Sequence, residues 1–199
     1  MTEPEPVASP PRPEVRPVRR RGSRDPHPAT GRGRPGAWVL LAAFGPCGFS
    51  PVAPGTAGTL AAIPLAFGLS RLGWPAYLGA TALLFVLGAV AAARAGRHWG
   101  VIDASRIVID EVVGYLVAVA LVPFSWPAAL LGAAFFRLFD IWKPWPVSAL
   151  DRIESGLGVM LDDVVAGVFA WVALRVLSRA LAAGLGCGGG PWFCAGLWG

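Results

Sequence analysis

The chain has 199 residues, of which 55% are hydrophobic and only 15% are charged, with a mean hydropathy of +0.58 and a formal net charge of +5. Soluble globular domains are usually about 25% charged. The composition therefore excludes an ordinary soluble enzyme and indicates one membrane-embedded domain.

The N-terminal segment, residues 1–36, combines arginines with prolines. It holds eight of the 17 basic residues: Arg12, Arg16, Arg19, Arg20, Arg21, Arg24, Arg32 and Arg34. Such a segment cannot bury enough apolar surface to offset the entropy of ordering it, so we expect a disordered tail. Its charge suits either nucleic acid or a topology signal that contacts anionic lipid headgroups. Beside so apolar a chain we expect the lipid role and no nucleic acid.

Five apolar segments follow the tail. They cover residues 57–72, 76–95, 107–122, 128–139 and 159–182. The Gly- and Pro-dense stretch before them, FGPCGFSPVAPGTAGT at 44–59, predicts a loop. The Gly-rich end, residues 184–199, predicts a loose tail. Lipid-exposed backbone must satisfy its polar groups within its own segment, so the predicted fold class is all-α, a polytopic membrane helical bundle over residues 37–183.

The distribution of basic residues predicts the orientation of the bundle. An arginine-rich tail places the N-terminus in the cytoplasm. Alternating the five segments then puts the turns at 73–75 and 123–127 outside, together with the C-terminus, and the links at 96–106 and 140–158 inside. Apart from Arg71 the outer turns carry almost no charge. The inner side carries six basic residues: Arg94, Arg97, Arg106, Arg137, Lys143 and Arg152. Charge bias and segment count therefore agree.

Beyond the tail, the acidic residues gather in one part of the chain. They are Asp103, Asp110, Glu111, Asp140, Asp151, Glu154, Asp162 and Asp163. In the predicted layout all eight lie at the inner side, where carboxylates at membrane depth indicate function. A packed group of them repels unless a proton or cation lies among them. The ligands would be oxygens, and the cysteines have no metal-binding spacing, so Mg²⁺ fits better than zinc.

The alternative is that these acids only form salt bridges. It accounts for Asp151 and Glu154, which lie beside Arg152. It accounts poorly for the pairs 110–111 and 162–163, which have no basic neighbour within one helical turn.

Basic residues near the acids suit a phosphate group. Arg137, Asp140 and Lys143 recur every third residue and would share one face if the helix continued that far. Arginine grips two phosphate oxygens and lysine supplies a point charge. The stretch SPVAPGTAGT at 50–59 adds small and hydroxyl residues before an apolar helix, where backbone N–H groups favour an anion. Together these features predict a phosphate site.

Three sequence blocks resemble the phosphatidylglycerophosphatase A family. They are GFSPVAPGTAGTLAAIP at 48–64, IVIDEVVGY at 107–115 with Asp103 just before it, and FRLFDIWKPWP at 136–146 followed by GLGVMLDDVVAG at 156–167. The resemblance covers about residues 38–180. It implies a Mg²⁺-dependent phosphatase that removes the terminal phosphate of phosphatidylglycerophosphate, a phospholipid in the bilayer. It also implies the bacterial cytoplasmic membrane, with the active site on the cytoplasmic face.

With this resemblance the site residues take roles. We expect four acids to hold Mg²⁺ and to activate the nucleophile, which is water or an aspartate: Asp110, Glu111, Asp162 and Asp163. Asp103 is a further catalytic candidate. We expect four residues to bind the phosphate: Arg137, Lys143, Thr56 and Thr59. Asp140 is expected to support Arg137.

A small membrane carrier or proton-coupled transporter is the rival hypothesis, because it too uses intramembrane carboxylates. A carrier predicts acids spread through the membrane depth, whereas these collect at one end. A non-catalytic scaffold explains the apolar segments but not the acids with their basic partners. The sequence therefore favours the phosphatase.

Overall fold

The computed structural model describes residues 35–100, 104–150, 153 and 155–184, and within these every regular element is helical. The helices are α1 (Ala37–Ala42), α2 (Pro54–Ser70), α3 (Trp74–Trp99), α4 (Ile109–Ala118), α5 (Trp126–Trp142), α6 (Val147–Leu150) and α7 (Gly156–Gly184), with a short 3₁₀ turn at Cys47–Phe49. The predicted all-α class is confirmed. The predicted basic and Gly-rich tails lie almost wholly outside the described residues.

Among the described residues, two helices are long and apolar enough to cross a membrane. They are Trp74–Trp99, which is α3, and Gly156–Leu181 within α7. Helices α2 and α5 have 17 residues each, so each is about 25 Å long at about 1.5 Å per residue. Long apolar helices agree with the membrane location that the composition predicted.

The third predicted segment, 107–122, does not form a spanning helix. Within it α4 has only ten residues, which gives about 15 Å of helix against a hydrocarbon core of about 30 Å. Nine of those ten residues are buried. The apolar run therefore forms a short helix enclosed by other helices and not one continuous spanning helix, which corrects the prediction.

Side chains from other helices satisfy the backbone where α4 ends inside the bundle. Three of them donate hydrogen bonds to carbonyl oxygens there: Tyr77 to Leu116, Trp171 to Ala120 and Arg175 to Leu121. A helix end leaves carbonyl groups without intrahelical partners, and lipid offers none. These donors from α3 and α7 make an enclosed helix end tolerable.

Helix α2 begins earlier than the sequence indicated. The predicted loop at 44–59 is helical from Pro54 onward. Proline suits the first helical position, because its fixed φ is helical and its missing N–H is not needed there. The glycines that indicated a loop instead allow close packing: a Cβ on Gly58 would lie 3.0 Å from Cβ of Val108.

Helices α4 and α7 cross so closely that their backbones touch. A Cβ on Gly114 would lie 2.4 Å from the ring of Phe136 and 2.8 Å from the carbonyl oxygen of Asp163, and one on Gly167 would lie 2.4 Å from the carbonyl oxygen of Gly114. Small residues at a crossing let membrane helices approach closely. The crossing brings the first turn of α4 beside the acidic turns of α7.

Candidate active site

In the part of the chain that the structure describes, five carboxylates are buried at one end of the bundle. Each is less than 5% exposed: Asp110, Glu111, Asp140, Asp162 and Asp163. They come from the first turn of α4, the last turns of α5 and the early turns of α7. Burying a charged carboxylate without compensation is very costly. The group therefore requires a proton or a cation among its members.

Three of these acids form a compact cluster. Asp110, Glu111 and Asp163 each offer one carboxylate oxygen, and these oxygens lie within 4.8 Å of one another. Atom Oδ2 of Asp163 is buried and accepts no hydrogen bond from the described part of the chain.

The cluster fits a hard divalent cation. All three donors are oxygens, which Mg²⁺ prefers. The three carboxylate oxygens lie within 4.8 Å of one another, which is close enough for them to hold one such ion after side-chain adjustment. The buried Oδ2 of Asp163, which accepts no hydrogen bond from the described part of the chain, would gain a partner from such an ion.

Arg137 connects α5 to the cluster. Its Nη1 lies 2.6 Å from Oδ2 of Asp140 and 3.8 Å from Oε1 of Glu111. Asp140 thus has the position expected of a residue that supports Arg137. The Arg137 side chain is 21% exposed, so it links the buried acids to the surface.

Gly55 in the first turn of α2 packs directly on this ion pair. A Cβ at Gly55 would lie 2.3 Å from Oε1 of Glu111 and 3.0 Å from Nη1 of Arg137. Only glycine fits without displacing Glu111. From the sequence, only Thr56 and Thr59 of this stretch were named as site residues and Gly55 was missed, although the small residues of PGTAGT were the available signal.

Lys143 does not lie on the helix face that Arg137 and Asp140 share. Helix α5 ends at Trp142, and Lys143 caps it in the left-handed conformation with φ of 46°. Its Nζ donates a hydrogen bond to Oδ2 of Asp162. Because α5 ends before Lys143, the spacing of three residues does not put Lys143 on the same face as Arg137 and Asp140. The left-handed backbone at Lys143 turns its side chain toward Asp162 instead.

The neighbouring acids 162 and 163 therefore have different surroundings. Asp162 pairs with Lys143, and Asp163 joins the cluster with Asp110 and Glu111. The sequence predicted both as metal ligands. The sequence also showed no basic neighbour within one helical turn of the pairs 110–111 and 162–163. The cations that contact these acids come from the end of α5, which is distant in the chain.

The remaining predicted residues lie at the edge of the site or outside the described residues. Thr59 is 1% exposed, and its hydroxyl donates to the carbonyl oxygen of Gly55 at 3.0 Å. That bond lies within α2, which leaves Thr59 no hydroxyl hydrogen for a phosphate. Thr56 is exposed on the same helix. Asp103 lies outside the described residues, so the structure gives it no position.

Comparison with known proteins gives the same family that the three sequence blocks resemble. The family model described as phosphatidylglycerophosphatase A matches residues 40–178. Phosphatidylglycerophosphatase A of Escherichia coli K12 is 38% identical over 135 residues, covering 67% of this chain and 78% of the relative. Phosphatidylglycerophosphatase A of Haemophilus influenzae is 40% identical over 139 residues, covering 68% and 85%.

A third relative has a different name. A Bacteroides thetaiotaomicron protein described as a candidate phosphatidylinositol-3-phosphatase is 41% identical over 146 residues, covering 69% of this chain and 91% of the relative. No solved structure matches significantly. The family match spans most of the chain and includes every described acid of the site. The chain therefore belongs to the phosphatidylglycerophosphatase A family and is a phosphatase, as its three sequence blocks predicted.

Proposed function

We propose that this phosphatase hydrolyses the terminal phosphomonoester of phosphatidylglycerophosphate, giving phosphatidylglycerol and inorganic phosphate, and that it requires Mg²⁺. The observation that carries the proposal is the buried cluster of Asp110, Glu111 and Asp163 beside two partly exposed cations, Arg137 and Lys143. The names of the Escherichia coli and Haemophilus influenzae relatives support the substrate.

The acidic cluster would hold the metal. Asp110, Glu111 and Asp163 are the ligands in this proposal, and Asp162 is a positioning residue for Lys143. Bound Mg²⁺ would supply positive charge that stabilises the phosphoryl oxygens in the transition state. Burial excludes most water from these carboxylates, which strengthens their interaction with any cation.

The two cations would bind the phosphate. Arg137 uses Nη1 for Asp140, and its guanidinium has further donors that can face an anion. Lys143 is held by Asp162 and remains 20% exposed. Cations fixed in place before the substrate arrives stabilise transferring phosphate without reorganisation. Arg137 and Lys143 would therefore orient the phosphomonoester and neutralise its charge.

We also propose that the chain crosses the bacterial cytoplasmic membrane several times, with this site on the cytoplasmic face. Trp126 and Trp142 lie at opposite ends of α5 and are 66% and 69% exposed. Sixteen helical steps separate them by about 24 Å, and tryptophan favours both membrane interfaces. A C-terminal alkaline phosphatase fusion tests the orientation: activity is expected, and an inactive, stably expressed fusion contradicts it.

Two other functions make different predictions. A proton-coupled carrier would place acids along a path through the membrane, but the five carboxylates buried in the described part of the chain all lie at one end of the bundle. The Bacteroides thetaiotaomicron relative raises phosphatidylinositol 3-phosphate as an alternative substrate. Both lipids carry a phosphomonoester, so the assay must compare them directly.

Phosphate release by the purified full chain in detergent micelles tests the proposal. Phosphatidylglycerophosphate and phosphatidylinositol 3-phosphate are supplied separately, each with Mg²⁺ or with EDTA. We expect release from phosphatidylglycerophosphate with Mg²⁺ and a much lower rate from the inositol lipid. Faster release from the inositol lipid would overturn the substrate, and no release from either by folded protein would overturn the activity.

A further inference from the structure

The turn that follows α5 exposes large apolar side chains next to a cation of the site. Ile141 is 72% exposed, Trp142 69% and Trp145 81%. Lys143 lies between the two tryptophans and donates a hydrogen bond to Asp162. We call Ile141, Trp142 and Trp145 the tryptophan surface. Contiguous exposed apolar side chains mark sites of interaction with membranes or partners.

The tryptophan surface is built onto the core of the bundle. The ring of Trp142 stacks on Phe139, with centroids 6.5 Å apart and planes inclined at 26°. Phe139 in turn packs against Phe169 of α7 at 5.7 Å. These ring contacts connect Trp142 to α7, the helix that carries Asp162.

We propose that the tryptophan surface lies at the membrane–water interface and contacts the glycerol backbone and upper acyl chains of the phospholipid substrate. This inference rests on the proposed function and extends it to the lipid part of the substrate. Tryptophan combines an apolar ring with one polar N–H and favours the headgroup level. A lipid phosphate lies at that same level. The phosphomonoester can then reach Lys143 and Arg137 while the chains remain in the bilayer.

The positions of the charges support a lipid over a protein partner. Two partly exposed cations belong to the same stretch of chain: Lys143 directly follows Trp142, and Arg137 precedes it by five residues. The acids that pair with them are buried. The surface thus presents apolar rings and positive charge together, which matches the acyl chains and the phosphate of one anionic lipid.

Replacement of both tryptophans tests the inference. The variant Trp142→Ala/Trp145→Ala is assayed on long-chain phosphatidylglycerophosphate in mixed micelles and on its water-soluble deacylated headgroup. We expect kcat/KM for the lipid to fall about tenfold or more, mainly through KM, because burying one large apolar side chain is worth on the order of a tenfold change. Hydrolysis of the headgroup should stay within about twofold.

The chain offers a matched control on the same helix. Trp126 is similarly exposed at the other end of α5, so Trp126→Ala should leave both kinetic constants unchanged. The variant Trp142→Phe/Trp145→Phe should restore most of the lipid activity. An equal loss on lipid and headgroup would overturn the inference in favour of a structural role. An unchanged KM for the lipid would overturn it in favour of another partner for this surface.

A measurement without turnover separates this inference from the proposed function. The wild-type chain and the double alanine variant are placed in nanodiscs that contain brominated phospholipids, and tryptophan fluorescence is recorded. We expect the emission lost with Trp142 and Trp145 to be quenched by bromine near the headgroups. Emission from these two residues that bromine leaves unquenched would overturn the inference even if the enzyme is active. Quenching without any phosphate release would overturn only the proposed function.

Discussion

Asp162 and Asp163 are adjacent on α7, yet their carboxylates have different partners. Asp162 accepts a hydrogen bond from Nζ of Lys143, whereas Asp163 lies with Asp110 and Glu111 in a cluster of oxygens within 4.8 Å. Successive residues of a helix point about 100° apart, so one helical turn serves both halves of the site. In the proposed mechanism Asp163 would face the metal, and Asp162 would hold Lys143 for the phosphate.

The first prediction separates these two acids. Asp163→Asn should lower kcat by about 10²-fold or more and raise the Mg²⁺ concentration needed for half-maximal rate, because a metal ligand is lost. Asp162→Asn should raise KM about tenfold with an unchanged Mg²⁺ requirement, because Lys143 loses only the carboxylate that holds it in position. Phosphate release across a Mg²⁺ titration measures both. The same Mg²⁺ requirement in the two variants would contradict the division.

The second prediction concerns Gly55. In Gly55→Ala the added Cβ would lie 2.3 Å from Oε1 of Glu111, so Glu111 must move and its pairing with Arg137 must change. We expect a loss of about 1–3 kcal/mol in the free energy of unfolding and strongly reduced activity. Thermal unfolding in detergent and phosphate release report the two effects.

Gly68 provides the control for Gly55. It lies in the same helix, and a Cβ added there would meet no neighbouring group within 4 Å. Gly68→Ala should keep full activity and the same or slightly higher stability, since alanine is the better helix former by about 1 kcal/mol. Equal behaviour of the two alanine variants would show that Gly55 has no special role.

The third prediction concerns the crossing of α4 and α7. Gly114→Ala should destabilise the bundle by about 1–3 kcal/mol or more, because the new Cβ meets both Phe136 and the backbone of Asp163. Gly79→Ala in α3, where nothing lies within 4 Å, is the control. The measurement is the Tm of each variant in detergent. An unchanged Tm for Gly114→Ala would mean that the helices do not approach this closely.

The fourth prediction concerns Arg137. Arg137→Lys keeps the charge but loses the planar fork that contacts Asp140 and can grip two phosphate oxygens. We expect kcat/KM to fall on the order of tenfold or more. Thr59→Val is a useful comparison, because the Thr59 hydroxyl is already bonded within α2; its activity should be nearly normal. A larger loss in Thr59→Val than in Arg137→Lys would restore Thr59 as a phosphate ligand.

The apolar runs predicted most of the helices, because long stretches without charge leave few alternatives in a membrane. The apolar runs did not predict the short length of α4. Carbonyl groups at its end accept hydrogen bonds from donors that are distant in the chain: Tyr77 lies 39 residues from Leu116, and Trp171 lies 51 residues from Ala120. No local pattern encodes such partners. The start of α2 was predicted as a loop, since glycine and proline favour turns and their use in close packing depends on the neighbour.

The sequence predicted the acids and cations of the site and the pair of Arg137 with Asp140, but not the pairs between helices. Lys143 meets Asp162 across 19 residues, and Arg137 meets Glu111 between two helices. Sequence spacing reveals partners within one helical turn only. The roles of Asp162 and Asp163 therefore became separable only once the helices were placed.

The most direct test of the central claim is the rate of phosphate release from phosphatidylglycerophosphate by the full chain as free Mg²⁺ is varied. We predict almost no release in EDTA, and recovery of the rate when Mg²⁺ is restored. A rate in EDTA equal to that in Mg²⁺ would contradict the claim that Asp110, Glu111 and Asp163 form a metal site for catalysis.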